Sequence, residues 1–262
     1  MRGKILSDLS IKLIVAQNEA QKLIDKYGIT SPEHIQLKNI AFRENAFVIE
    51  EPVARATASL VKSKNGATIR VSPYDRIERQ RFSIAYELGH LKLNHIAGKI
   101  QKACTKEDMR SWYKKSIETE ANYFASELIL PTKLVEGMCD VREVNFEPIQ
   151  EIAKIFRASL TATAIKFVQL NAEQCAFVYS EAGKITWSCN SPDWQPFIQR
   201  GKPLDNKTGA YDFFKGKDLY NEPIEVEAIA WFDRSCGDKY IVEHSIGSHE
   251  FESVLTLLWI RP

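Results

Sequence analysis

The sequence carries almost no excess charge: 35 lysines and arginines stand against 34 aspartates and glutamates. Bulk attraction to nucleic acid or to an anionic membrane is therefore absent, and only a local patch could serve either purpose. Paired cysteines are missing as well. The five present, Cys104, Cys139, Cys175, Cys189 and Cys236, lie far apart with no CxxC among them. That argues against a cysteine-based zinc ribbon and for small buried hydrophobes in a reducing compartment. Long apolar runs are also lacking. Near the N-terminus the only one is Leu13-Ile14-Val15-Ala16, too short for a signal-peptide core or a membrane span. A soluble cytoplasmic protein is expected, with no membrane association. Internal repeats and low-complexity tracts are absent too.

What is present suits a globular chain. The 262 residues, 44% apolar and 26% charged, allow one large or two modest domains around a real core. Ala16, Ala20, Leu23 and Tyr27 recur at helical spacing, and Gly28 closes that helix. Ser31-Pro32-Glu33 predicts a second, short helix. Residues 46–50 predict a strand, and residues 56–72 a hairpin whose Asn65-Gly66 pair accepts the positive φ of a tight turn. A long helix is predicted over 75–96, then a basic, polar loop over 97–111, then a helix over 112–130 that Pro131 stops. Ile149, Ile152, Ala153 and Phe156 pattern one further helix, and Ser159 can cap another running to Leu170. From Asn171 onward the chain is strand-rich and holds four of its five tryptophans. The order describes an α+β protein.

The long helix carries the chemistry. It contains RFSIAYELGHLKLNH, Arg81 to His95, in which Tyr86-Glu87-Leu88-Gly89-His90 differs from HExxH at its first position only. In HExxH, two histidines at i and i+4 share a helix face and one zinc ion, and the adjacent glutamate accepts a proton from the metal-bound water. A third ligand comes from elsewhere, leaving a fourth position open. The next helix, IETEANYFASELILP from Ile117 to Pro131, offers Glu118 with Asn122 one turn on. A carboxylate ligand supported by an amide would make sense there. Glu120 competes with Glu118, because both flank the apolar line Ile117, Ala121, Phe124 and Leu128. Spacing alone does not separate them.

These two segments together resemble the ImmA/IrrE family of zinc metallopeptidases, whose usual text is close to RFTLAHELGH and then ExEANxFAxELLMP. The resemblance extends over most of the chain. It implies a zincin-like domain with a small antiparallel sheet over 1–145, a helix-turn-helix-like unit over 146–170, and a β-rich, GAF-like sensor or partner domain over 171–262. It also implies Glu87 as general base, His90 and Glu118 as zinc ligands, and Asn122 as a supporting residue, with Glu120 the alternative ligand. The expected partner is a helix-turn-helix repressor, cut or otherwise inactivated in a stress, prophage or mobile-element switch.

Tyr86 leaves three readings open. Its phenolate could ligate the metal, although tyrosinate is not among zinc's usual ligands. Another histidine could substitute; the nearest, His95, lies about 140° round the helix from His90 and could join only through a break in the helix, so it reads as a surface or helix-end residue. Third, the site could have lost hydrolysis, with Tyr86 filling the metal space and hydrogen-bonding Glu87, Glu118 or Asn122, which would leave a pseudopeptidase that captures its partner uncut. Direct nucleic-acid binding is not expected, since the second helix of the 146–170 pair, LTATAIKFVQL, has one basic residue, Lys166. The aromatics Tyr179, Trp187, Trp231 and Phe232 could line a sensor pocket or form core.

Overall fold

Strand β2 (Ala58–Ser63) turns through Asn65-Gly66 into β3 (Gly66–Val71), paired antiparallel with Ser63 opposite Gly66. A Cβ on Gly66, at φ +138°, would lie 2.9 Å from the Asn45 carbonyl oxygen, so this approach requires glycine. That contact introduces β1 (Ala46–Glu50), which runs parallel to β3 along its free edge. Beyond β2 lies β4 (Gln101–Cys104), giving the order β1-β3-β2-β4. The sheet is therefore mixed where a purely antiparallel one was expected. The hairpin fixes only β2 against β3, and the direction of β1 is set by tertiary packing. Strand β4 likewise replaces part of the expected 97–111 loop, because the open edge of β2 supplies partners that its own polar sequence does not announce. The computed structural model describes residues 8–53, 57–95, 101–104, 117–232 and 240–261. Cys236 and the expected helical start at 112–116 lie outside them.

The described chain divides into two compact units, Met1–Leu134 with Lys154–Ser159, and Val135–Ala153 with Leu160–Pro262. In the first, helices α1 (Asp8–Lys26), α2 (Leu37–Arg43), α3 (Ile77–Lys92) and α4 (Ile117–Ile129) accompany the sheet. Pro32–His34 forms a 3₁₀ turn, not an α-helix, and Ser31 makes no side-chain cap. Helices α1 and α3 both pack on α4, burying Ala16, Ala20 and Leu23 against a stripe that includes Phe124 and Leu128. Full burial of one such large side chain contributes about 1.5–3 kcal/mol. Gly89 permits the closest approach, since a Cβ there would stand 3.0–3.2 Å from Phe124.

Helix α1 ends in a Schellman motif, with Gly28 at φ +61° and Ile29 N–H donating to the Ile24 carbonyl at 3.0 Å. Helix α3 ends the same way, several residues before the expected boundary. Asn94 takes φ +54°, Asn94 N–H donates to Leu91 O at 3.3 Å, and His95 N–H to His90 O at 3.0 Å.

Helix α5 (Thr132–Cys139) leads out of the first unit. In the second, α6 (Phe146–Phe156, through Ala153) and α7 (Leu160–Leu170) precede a five-stranded antiparallel sheet. Its strands are β5 (Cys175–Glu181), β6 (Lys184–Asn190), β7 (Ile224–Glu227), β8 (Tyr240–Ser248) and β9 (Ser253–Trp259), in the order β6-β5-β9-β8-β7. Helix α7 packs on β5 and β6, and Ala162 to Val168 are all buried on it, Lys166 included. Within the stretch expected to be strand-rich, β7 gives way to the single-turn helix α8 (Ala228–Trp231), which carries Trp231 and Phe232 into the core cluster with Trp194, Leu204 and Leu258. Buried Glu243 on β8 accepts hydrogen bonds from Ala210 N–H (2.7 Å), Trp231 Nε1–H (3.0 Å) and Ser245 Oγ–H (3.0 Å). Burial pushes its carboxyl pKa upward against those donors.

Candidate active site

Every residue of the motif from Phe82 to His90 is buried on α3, and Tyr86, Glu87 and His90 are wholly so. An amphipathic surface helix would leave one side in water. Here α4 covers one flank and the sheet another, so polar side chains that are rarely buried sit in the interior.

Helix α4 presents two carboxylates from its first turn, Glu118 and Glu120. They meet different partners. The Tyr86 hydroxyl donates to Glu118 Oε2, and His90 Nε2 lies 3.2 Å from the same oxygen. Glu120 Oε2 is instead 3.1 Å from His95 Nε2. The two histidines close the chain, with Nδ1 facing Nδ1 at 3.0 Å. The order along this chain is Tyr86, Glu118, His90, His95, Glu120.

Each histidine thus turns its Nε2 to a carboxylate and its Nδ1 to the other ring, which joins the two carboxylates through a pair of imidazoles. Tyr86 adds an edge-on contact to the His90 ring, with centroids 4.7 Å apart at 82°.

His95 is the member that spacing misses. Five positions after His90 it faces away for as long as the helix continues. The Schellman turn at Asn94 breaks the helix and folds His95 back, so it is neither a surface residue nor a simple helix end; its side chain is 6% exposed. The available signal was Asn94, a residue type that tolerates the left-handed conformation at a helix C-terminus. Asn122, one turn after Glu118, is wholly buried, and neither its Nδ2 nor its Oδ1 has a hydrogen-bond partner among the described residues. Glu87 is equally buried, one residue after Tyr86.

Zinc can be tested against this donor set. His90 Nε2 and Glu118 Oε2 are 3.2 Å apart, close to the roughly 3.3 Å between two ligands about 2.0–2.1 Å from one tetrahedral ion. The third position does not fit. It holds a phenol whose hydroxyl donates a hydrogen bond to Glu118, whereas a metal ligand must be deprotonated. Among the described residues no three His, Cys, Asp or Glu side chains are grouped so as to hold a metal ion. The arrangement is a hydrogen-bonded polar cluster of one phenol, two carboxylates and two imidazoles.

Other candidate groups belong to the core. Tyr179 and Trp187 stack with centroids 5.3 Å apart, and both are buried along with Trp231 and Phe232. Burial lifts the Cys139 thiol to about 11 and the Cys175 thiol to about 12, leaving both poor nucleophiles. No helix among the described residues is long and apolar enough to cross a membrane.

Comparison with known proteins adds a family and a fold. Residues 43–167 match the sequence model of the IrrE N-terminal-like domain. Among solved structures, a Mycobacterium tuberculosis transcriptional regulator is similar, with a TM-score of 0.61 at 14% identity, over 94% of this chain and 76% of that one. At that identity the likeness speaks for the fold alone. A search of curated proteins finds no match.

Proposed function

We propose that this chain, whose residues 43–167 match the IrrE N-terminal-like domain, is a pseudopeptidase of ImmA/IrrE type that captures a protein partner without cutting it. The partner fitting this reading is a transcriptional repressor of helix-turn-helix type, held in a cytoplasmic stress, prophage or mobile-element switch. Residues 171–262 would serve as a GAF-like sensor or partner domain, and residues 146–170 as a helix-turn-helix-like connecting unit that packs rather than reads DNA. One observation carries the proposal: the Tyr86 hydroxyl donates to Glu118, so the carboxylate that would hold zinc is committed to the side chain standing where a histidine ligand is needed. Glu87 and His90 then act as parts of a buried polar network that fixes α3 against α4.

A hydrolytic reading has one observation in its favour, the zinc-like separation of His90 Nε2 and Glu118 Oε2. The two readings part on metal content. Elemental analysis of the purified protein should find well under one zinc per chain, and Tyr86→His should raise it towards one. Co-expression with a candidate helix-turn-helix repressor should give a complex with that repressor intact, in the wild type and in Glu87→Gln alike. Stoichiometric zinc in the wild type, with cleavage abolished by Glu87→Gln, would overturn the proposal.

A further inference from the structure

At the opposite end of α3 from His90, the first unit encloses a pocket of about 620 Å³. Its walls come from the Pro32–Asn39 stretch, the first half of α3 and the Lys154–Arg157 turn, all within that unit. Ile77 and Ile155 give it apolar surface over the buried Ile35, Ile84 and Phe156, while Lys38, Arg81, Lys154 and Arg157 bring positive charge and Glu33 is the one acidic residue of the lining.

Arg81 is the central feature. Its guanidinium donates to two backbone carbonyls, Ile35 O at 3.1 Å and Phe156 O at 3.4 Å. Its Nε is buried and meets no acceptor among the described residues. Burial and then the neighbouring Arg157 both disfavour its charge, and Glu78 offsets them only in part. Two guanidiniums thus stand near one another in a half-enclosed pocket, an arrangement that an oxyanion relieves through the planar N–H fork of arginine. Lys38 already pairs with Glu50. That leaves Arg81, Lys154 and Arg157 against Glu33 on the wall and Glu78 beside Arg81, a positive excess that favours an anion. A phosphate monoester, at about −1.5 to −2 near neutral pH, offers the negative charge and the oxygens to which such a fork donates. The volume is within the range of small-molecule sites, roughly 300–1,000 Å³, and exceeds what a bare phosphate needs.

We propose that this pocket binds a small organic phosphate monoester, its phosphate between Arg81 and Arg157 and its body on Ile77 and Ile155. The site is distinct from the Tyr86 cluster and does not depend on whether the protein cleaves anything. Isothermal titration calorimetry on the full chain tests it, with adenosine monophosphate and phenyl phosphate as esters, inorganic phosphate as the bare anion, and a glutamate-rich peptide as the competing polyanion. Arg81→Gln would also remove two structural hydrogen bonds, so the test rests on the exposed pair, Lys154→Gln with Arg157→Gln. At least one ester should bind saturably and tighter than inorganic phosphate. The double variant should weaken it about tenfold or more at unchanged thermal stability. Failure of both esters to bind, equal binding by inorganic phosphate, an affinity unchanged in the double variant, or binding of the peptide alone would each overturn the proposal.

Discussion

Glu44 ties three helices together through one carboxylate. It follows α2, its side chain is 7% exposed, and its oxygens accept from Lys26 Nζ at 2.6 Å, Lys92 Nζ at 2.8 Å and the Tyr27 hydroxyl. Lys26 and Lys92 are the last residues of α1 and α3, where positive charge is already favoured by the helix dipole. Burial alone would raise the Glu44 pKa, but the three donors outweigh it and bring it from 4.5 down to about 2. A carboxylate depressed in this way stabilises the fold above its unfolded pKa and loses that contribution as pH falls through the folded one. At 1.36 kcal/mol per unit, the shift corresponds to at most roughly 3.4 kcal/mol. Lys26 is 56% exposed, and solvent screening of that arm reduces the figure to about 1–2 kcal/mol. Glu44→Gln keeps the shape and removes the charge. Urea denaturation of both proteins should place the variant about 1–2 kcal/mol below the wild type at neutral pH, with the gap closing between roughly pH 5 and pH 2. A gap that stays constant across that interval, or none at neutral pH, would refute the reasoning.

Two further outcomes follow from the second unit. His244 accepts from Phe146 N–H at Nδ1 (3.2 Å), so its Nε2 donates to Asn221 O (3.0 Å). Burial lowers its pKa below 6.5, against the opposing pull of the Asn221 carbonyl, Glu222 and Glu147; because the unfolded chain then binds the proton more readily, its contribution is present above 6.5 and lost as pH falls below it. Thermal melts should show a drop between about pH 7.5 and pH 5.5 that is smaller in His244→Gln, and equal drops would count against this role. Asn171 donates from Nδ2 to Cys139 O (2.7 Å) and Val141 O (3.1 Å), and its Oδ1 accepts from Glu173 N–H (2.7 Å). Asn171→Ala strands three backbone groups and should cost about 2–3 kcal/mol in urea denaturation, whereas a loss below about 0.5 kcal/mol would show that water replaces the side chain.

Local signals were legible where a residue type has one dominant use. Asn65-Gly66 announced its hairpin, Gly28 its helix end, and YELGH with ExEAN placed two buried helices and their polar residues. Pairings between distant segments were not legible. The parallel run of β1 beside β3 and the strand at Gln101–Cys104 depend on which sheet edges remain open, and neither stretch carries a distinctive pattern. Position 95 failed for a geometric reason: reading it on an unbroken helix put His95 on the wrong face, although Asn94 was a recognisable stop. Spacing alone could not rank Glu118 against Glu120, and the cluster uses both, one through His90 and the other through His95.

The missing side chain at Gly89 acts as a spacer of zero thickness. With nothing between the α3 backbone and the Phe124 ring, the gap between two helices is set by one aromatic face. Tyr86 and His90, on the same helix, inherit that gap as a common reach towards Glu118. A methyl group at position 89 would act as a wedge, lengthening both reaches at once while leaving every member of the cluster chemically intact. Position 89 therefore controls the cluster by distance alone, and it is the place where the contact between phenol and carboxylate could be loosened without altering either group.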